Sequence, residues 1–156
     1  MLNGYVGTVG GSTVKIWNVS NNNWNLIRTY SNHTGSLYAL EYINEDTLAS
    51  GATDNTIQIW SINTGVKIIS INVGEGVLSL KLLNSSFIAC GTYTSGNINI
   101  YNIDTGSIIS TLLGHVGYVE DLVLINCNLL SSSGQDYTVR IWDLTTYTQK
   151  FNLIGH

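Results

Sequence analysis

Ser132, His115 and Asp136 are the residue types of a nucleophile, a general base and its orienting carboxylate, and Ser50, His33 and Asp54 repeat them at the same spacing. A hydrolase built on such a set needs an exposed serine beside donors for the developing oxyanion. Neither serine stands in the strained Gly-x-Ser-x-Gly turn that supplies this exposure. The duplication also speaks for a framework, because an active site occurs once while a framework recurs. His33, His115 and His156 share one phase of a repeat, so no histidine is left over for catalysis or metal binding. Asp104, Asp121 and Asp143 stand singly, whereas a calcium site needs several converging oxygens. The expectation is therefore no catalytic residue, no metal ligand and no cofactor.

The elements that must position these side chains follow from a second recurrence. Val14-Lys15-Ile16-Trp17 returns as Ile57-Gln58-Ile59-Trp60, Ile98-Asn99-Ile100-Tyr101 and Val139-Arg140-Ile141-Trp142, at a spacing of about 41–43 residues. Apolar residues alternate before each aromatic, which is strand periodicity. Asn63-Thr64-Gly65 and Asp104-Thr105-Gly106 follow as hairpin turns in which Gly supplies a positive φ. A second strand then covers 66–71, 107–112 and 149–153. A loop carries Asn32-His33, Gly74-Glu75 or Gly114-His115, and a third strand opens at Leu37, Val77 and Val119. The fourth runs through Leu48-Ala49-Ser50-Gly51 and Leu130-Ser131-Ser132-Ser133 before turning back at Asp54 or Asp136. Four short antiparallel strands per repeat, with no helical segment, predict an all-β propeller of stacked blades.

These residues resemble the WD-repeat family, whose repeats carry Gly-His near one end and Trp-Asp at the other. Gly114-His115 precedes Trp142-Asp143 here, and His33 stands 27 residues before Trp60 just as His115 does before Trp142. The resemblance spans essentially the whole chain, because several motifs agree in phase. It implies a buried hydrogen-bonded tetrad of His33, Ser50, Asp54 and Trp60, and a second of His115, Ser132, Asp136 and Trp142. In each, the carboxylate fixes the imidazole, the imidazole meets the hydroxyl, and the hydroxyl accepts from the indole N–H. The third repeat departs from this pattern, with Tyr101 for Trp, Glu75 for His and Ser95 for Asp, and is expected to be the least well tied. In the first repeat, alignment places Gly7 and Gly11 at the Ser and Asp positions of Trp17's blade.

The resemblance further implies blades at about 1–30 (partial), 31–72, 73–113 and 114–154, as a segment of a ring that in this family usually has seven. A chain that ends so reads as part of a longer protein, or as a half-ring completed by a second copy through its open blade faces. Family members commonly bind partners on the loop face around the central channel. The matching positions are Ser36, Tyr38 and Thr53; Gly76, Leu78 and Thr94; and Tyr118, Glu120 and Gln135. Tyr118, Glu120 and Gln135 join an aromatic anchor, a carboxylate and an amide, a combination suited to a peptide carrying a basic residue. The expected function is a non-catalytic scaffold for a protein or peptide partner. The alternative is a regulatory or substrate-recruiting portion of a larger enzyme or complex.

Composition narrows the partner. The 156 residues are 44% hydrophobic and only 10% charged, with six Lys and Arg and a net charge of −4. Phosphate recognition needs clustered cations, so nucleic acid is not expected. No apolar run approaches the ~20 residues of a membrane-spanning helix, and no secretory signal opens the chain. An intracellular, cytoplasmic location is expected. Cys90 and Cys127 lack partners at metal-ligand spacing and read as small buried hydrophobes.

Overall fold

Sheets with one apolar stripe on each face must be covered twice, and the chain does this by stacking them. The computed structural model describes residues 4–20 and 23–155, in which fifteen strands and no helix form. No helix is therefore long and apolar enough to cross a membrane. The first sheet is a three-stranded meander of β1 (Tyr5–Gly10), β2 (Thr13–Ser20) and β3 (Asn23–Tyr30). The second comprises β4 (Leu37–Tyr42), β5 (Thr47–Ala52), β6 (Thr56–Ser61) and β7 (Lys67–Asn72). The third follows as β8 (Val77–Leu82), β9 (Phe87–Thr92), β10 (Ile98–Asn102) and β11 (Ile108–Leu112). The fourth is β12 (Val119–Asn126), β13 (Leu129–Gly134), β14 (Thr138–Asp143) and β15 (Thr148–Ile154). Every pairing is antiparallel between consecutive strands, which is the all-β, blade-like architecture of a partial propeller.

The recurring aromatic has a backbone role in all four sheets. The register slips at Ile16/Trp17, Ile59/Trp60, Ile100/Tyr101 and Ile141/Trp142, so each aromatic stands opposite a bulge in the outer strand of its sheet. The hairpins beyond it close as expected, with φ of +77° at Gly65 and +70° at Gly106. In the fourth sheet Tyr147 takes this left-handed conformation, at φ +56°.

The core lies between sheets. Ile57, Ile59 and Ile71 of the second pack against Val77, Leu80 and Ile88 of the third. Ile98, Ile100 and Leu112 of the third pack in turn against Val119, Leu122, Leu130 and Trp142 of the fourth. Val14, Ile16 and Tyr30 of the first likewise pack against Leu37, Leu48 and Trp60 of the second, and burying each such side chain is worth about 1.5–3 kcal/mol. The closeness of the sheets has a sequence cause: a Cβ on Gly51 would stand 2.4 Å from Val77 Cγ1, and one on Gly91 would stand 2.7 Å from Val119 Cγ1. Polar ties add register between sheets. Arg28 Nε donates to Ile62 O at 2.8 Å, Lys81 Nζ meets Glu41 Oε1 at 2.5 Å, and Ser79 Oγ donates to Val119 O at 3.2 Å.

Cys90 is buried, as expected. Cys127 is not: it is exposed in the polar turn joining β12 to β13, where no neighbouring sheet covers it.

Candidate interaction site

Two buried hydrogen-bond chains brace the loops that carry the candidate site. In the second sheet His33 Nδ1 lies 2.8 Å from Asp54 Oδ2, His33 Nε2 lies 2.8 Å from Ser50 Oγ, and Trp60 Nε1 donates to Ser50 Oγ at 3.0 Å. The fourth sheet repeats this at 2.9 Å for His115–Asp136, 2.7 Å for His115–Ser132 and 2.8 Å for Trp142–Ser132. Proton counting fixes the roles. The indole N–H gives its proton to the hydroxyl, the hydroxyl gives its own to Nε2, and Nδ1–H is left for the carboxylate. Ser132 is 1% exposed and Ser50 fully buried. Each serine oxygen is thus committed to an indole and closed to a substrate, so the hydrolase arrangement is absent from both sets.

The carboxylates are held ionised. Burial opposes the charge on Asp54, but hydrogen bonds from Thr56, His33 and the Thr34 N–H outweigh it and lower its pKa. At Asp136 burial is likewise outweighed, by His115, Thr138 and the Val116 N–H, and the pKa falls well below the carboxylate range. The same carboxylates therefore pin the turns after β5 and β13 to the loops before β4 and β12.

The third sheet is tied differently. Glu75, at the histidine position, receives Ser95 Oγ at 2.5 Å, Thr94 Oγ1 at 2.6 Å, Ser95 N at 2.9 Å and Thr94 N at 3.2 Å. Burial opposes its charge, and these donors from Ser95 and Thr94 lower its pKa nonetheless. The polarity of the link is reversed, with the acid on the loop and the hydroxyl on the turn. So the expected weakness divides in two. The loop-to-turn tie persists, while the inner link to the aromatic is replaced by the apolar contact of buried Cys90 and Tyr101.

The first sheet corrects the alignment. Trp17 Nε1 donates to Thr8 Oγ1 at 3.0 Å, so Thr8 takes the serine's part and Gly7 does not. Trp17 pairs with Val6 as Trp60 pairs with Leu48, one residue out of the assumed phase. The cause is a hairpin one residue shorter, turned tightly by Gly11 at φ +57°, with no room for the aspartate. Gly7 faces the second sheet, where a Cβ would meet Leu40 Cδ2 at 2.5 Å. His156, read at the histidine phase, lies outside the described residues.

Of the candidate docking positions, Tyr38, Leu78, Tyr118 and Glu120 line one cavity of about 390 Å³. Backbone geometry brings them there. Tyr38, Leu78 and Glu120 each occupy a register shift in the first strand of a sheet, between Leu37/Ala39, Val77/Ser79 and Val119/Asp121. A bulge frees its residue from the ladder and re-aims the side chain. The remaining positions serve the framework. Thr53 Oγ1 accepts from Ser36 N at 2.9 Å, Thr94 is held by Glu75, and Tyr93 N donates to Gly76 O at 2.8 Å. Gln135 is exposed beyond the cavity; its N–H donates to Tyr118 O at 2.9 Å and its side chain crowds Gly117.

Tyr93 is the lining residue that sequence reasoning missed. It stacks on Tyr118 with ring centroids 4.6 Å apart and planes at 15°. The available signal was its place directly before Thr94, but only the juxtaposition of the third and fourth sheets shows the pair. Its pKa is raised, chiefly through its side-chain interaction with Tyr118, so the ring stays neutral at physiological pH. Among the described residues, no group of three or more His, Cys, Asp or Glu side chains is arranged to hold a metal ion.

Comparison with known proteins agrees with this architecture. The model of the WD domain, G-beta repeat, matches residues 24–61 and 106–143. Periodic tryptophan protein 2 of Arabidopsis thaliana is 32% identical over 136 residues, covering 84% of this chain and 15% of that protein. Protein SPA1-RELATED 4 of the same plant is 26% identical over 137 residues, covering 85% of this chain and 17% of its own length. The guanine nucleotide-binding protein subunit beta-1 of Drosophila melanogaster is 27% identical over 136 residues, covering 83% and 40%. The chain thus spans less than a fifth of the plant relatives. Among solved structures, the computationally designed Ika8 protein superposes with a TM-score of 0.86 at 24% identity, over 100% of this chain and 48% of that one, a likeness of fold. With the repeat phase, the two closed tetrads and these matches in agreement, the chain belongs to the WD-repeat β-propeller family.

Proposed function

We propose that this chain is a non-catalytic interaction scaffold that docks a peptide or protein on the face where the bulged first strands open. Family membership supports a generic interaction role. The observation that carries the finer reading is the convergence of Tyr38, Leu78, Tyr118 and Glu120 from three sheets onto one cavity. A framework has no need to hold an aromatic ring 57% exposed, as Tyr38 is, beside an exposed carboxylate. Ser36, Thr53, Thr94 and Gln135 form the polar surround, and units of about 1–30, 31–72, 73–113 and 114–154 act as successive blades of one ring. Only six Lys and Arg residues are present, so the partner is a protein rather than nucleic acid. The Drosophila relative is by name a subunit, a component of a larger assembly, and this chain serves in the same general way.

The test is affinity capture with the intact chain, Tyr118→Ala and Glu120→Lys. Partners are expected to be lost from both variants at unchanged melting temperature. Equal capture by all three proteins would remove the proposed face.

A further inference from the structure

The 390 Å³ cavity has a composition that selects its occupant. Its walls are Tyr38, Leu78, Tyr93 and Tyr118, and its one carboxylate is Glu120. Among the described residues Glu120 enters no ion pair. Two further acids line the adjoining cavity: Glu41 Oε1 takes Lys81 Nζ at 2.5 Å and the Leu82 N–H at 3.1 Å, while Asp121 takes only the Leu122 N–H at 2.8 Å and adds to the negative charge beside Glu120. Within the 390 Å³ cavity itself, the unmatched negative charge is that of Glu120.

The aromatic walls make the same demand. A phenol ring has a negative face, and a cation held within about 6 Å of its centroid is attracted to it. Tyr93 is 37% exposed even while stacked on Tyr118, so the pair presents ring surface to an occupant. Ammonium and guanidinium groups both meet the charge requirement, but they differ in shape. A guanidinium is planar, sheds its water more readily, stacks on a ring, and presents a two-pronged donor edge to a carboxylate. A stacked tyrosine pair beside an unpaired carboxylate matches that plane and that edge together.

We propose that Tyr93, Tyr118 and Glu120 form a receptor for an arginine side chain of the partner, with Tyr38 and Leu78 closing around its methylene stem. This assignment rests on the docking face described above and names the chemistry that the face reads. The guanidinium lies against the tyrosine pair, and its donor edge meets Glu120. The stem covers the apolar surface that Tyr38 and Leu78 otherwise leave in water.

The full chain is titrated by calorimetry with acetyl-Gly-Gly-Arg-Gly-Gly amide and with matched peptides carrying lysine or citrulline in place of arginine. Citrulline keeps the shape and loses the charge. The arginine peptide is expected to bind about tenfold or more tightly than the citrulline peptide, with lysine between them. Glu120→Gln should bring arginine down to the citrulline level without weakening citrulline, and Tyr93→Leu should weaken both. Melting curves of both variants, expected to match the parent, separate lost recognition from lost fold. Arginine and citrulline bound within twofold of each other, or an arginine affinity unmoved by Glu120→Gln, would overturn the assignment. So would undetectable arginine binding. If Tyr118→Ala still abolishes partner capture in that case, the docking face stands and the arginine receptor falls.

Discussion

The second and fourth sheets each run a chain of hydrogen bonds from a surface turn to a buried indole. The third sheet keeps only the surface end of that chain. Behind Glu75 and Ser95, it buries Cys90 and Tyr101 where the others bury Ser50 with Trp60 or Ser132 with Trp142. Burial is the main cause that pushes the Cys90 thiol up to about 12 and raises Tyr101 to the same value, so both remain neutral. The two solutions are both consistent. A buried donor with a partner costs little, and so does a thiol and phenol pair that Asn99 serves without an imidazole or a carboxylate. What the difference teaches is that a blade can shorten the polar chain, and that the penalty lies in a buried group left without a partner.

The largest test of the comparison removes the aromatic. Trp142→Ala should lower stability by about 3–5 kcal/mol, since it empties a large buried site and removes the donor to Ser132. Tyr101→Ala should fall in the same range through its cavity alone. The milder Trp142→Phe and Tyr101→Phe then separate the two sheets. The first takes away the donor to Ser132, whose hydroxyl stays bonded to His115, and should cost about 0.5–1.5 kcal/mol for that bond, while the second should cost less. Chemical denaturation of the four variants checks this, and equal costs for the two phenylalanine variants would break the distinction.

The middle member of each set gives a smaller effect and a sharper contrast. Ser132→Ala leaves His115 Nε2 and the Trp142 N–H unpaired in a dry site, for about 1–3 kcal/mol. Cys90→Ala removes a small apolar group and should cost about 1 kcal/mol. The reverse change is more telling, because Cys90→Ser adds a hydroxyl where neither an imidazole nor an indole stands and only the Asn99 backbone can meet it. It should destabilise more than Cys90→Ala despite the closer match in size. A stabilising Cys90→Ser would mean that the third sheet can rebuild the polar chain unaided.

Much of this contrast is visible in the sequence, and its limits are physical. Residue type and phase place His33, Ser50, Asp54 and Trp60 because a meander of fixed strand length converts spacing into position. The same logic misplaces Gly7, since a hairpin shorter by one residue moves every later partner along β1 and puts Thr8 on Trp17. Glu75 is recognisable as a departure, but its reach to Ser95 and Thr94 depends on loop geometry that spacing does not encode. The docking cavity is legible in part. Tyr38, Leu78, Tyr118 and Glu120 are located by phase, whereas the bulges that aim three of them, and the stacking of Tyr93, arise from register and inter-sheet packing.

The smallest effect separates the carboxylates by pH. Asp136 and Glu75 both have folded pKa values below their unfolded ones, so each contributes stability that is fully present above the unfolded pKa and is lost as pH falls toward the folded pKa. The unfolded values are about 3.9 for Asp and 4.3 for Glu, so the glutamate's share begins to fade first on acidification. Asp136→Asn and Glu75→Gln remove the titration and keep one acceptor oxygen, while the amide NH2 faces the donors that the second carboxylate oxygen served. Each should lower stability at pH 7 by about 0.5–1.5 kcal/mol. In melting curves from pH 6 to pH 3, Glu75→Gln should flatten the upper part of the acid decline and Asp136→Asn the lower part. Asp136→Asn should also have the larger total effect, because a buried imidazole depends on its carboxylate while Glu75 is served by exposed hydroxyls and backbone. Identical pH profiles for the two variants would show that the reversed link of the third sheet is equivalent to the tetrad it replaces.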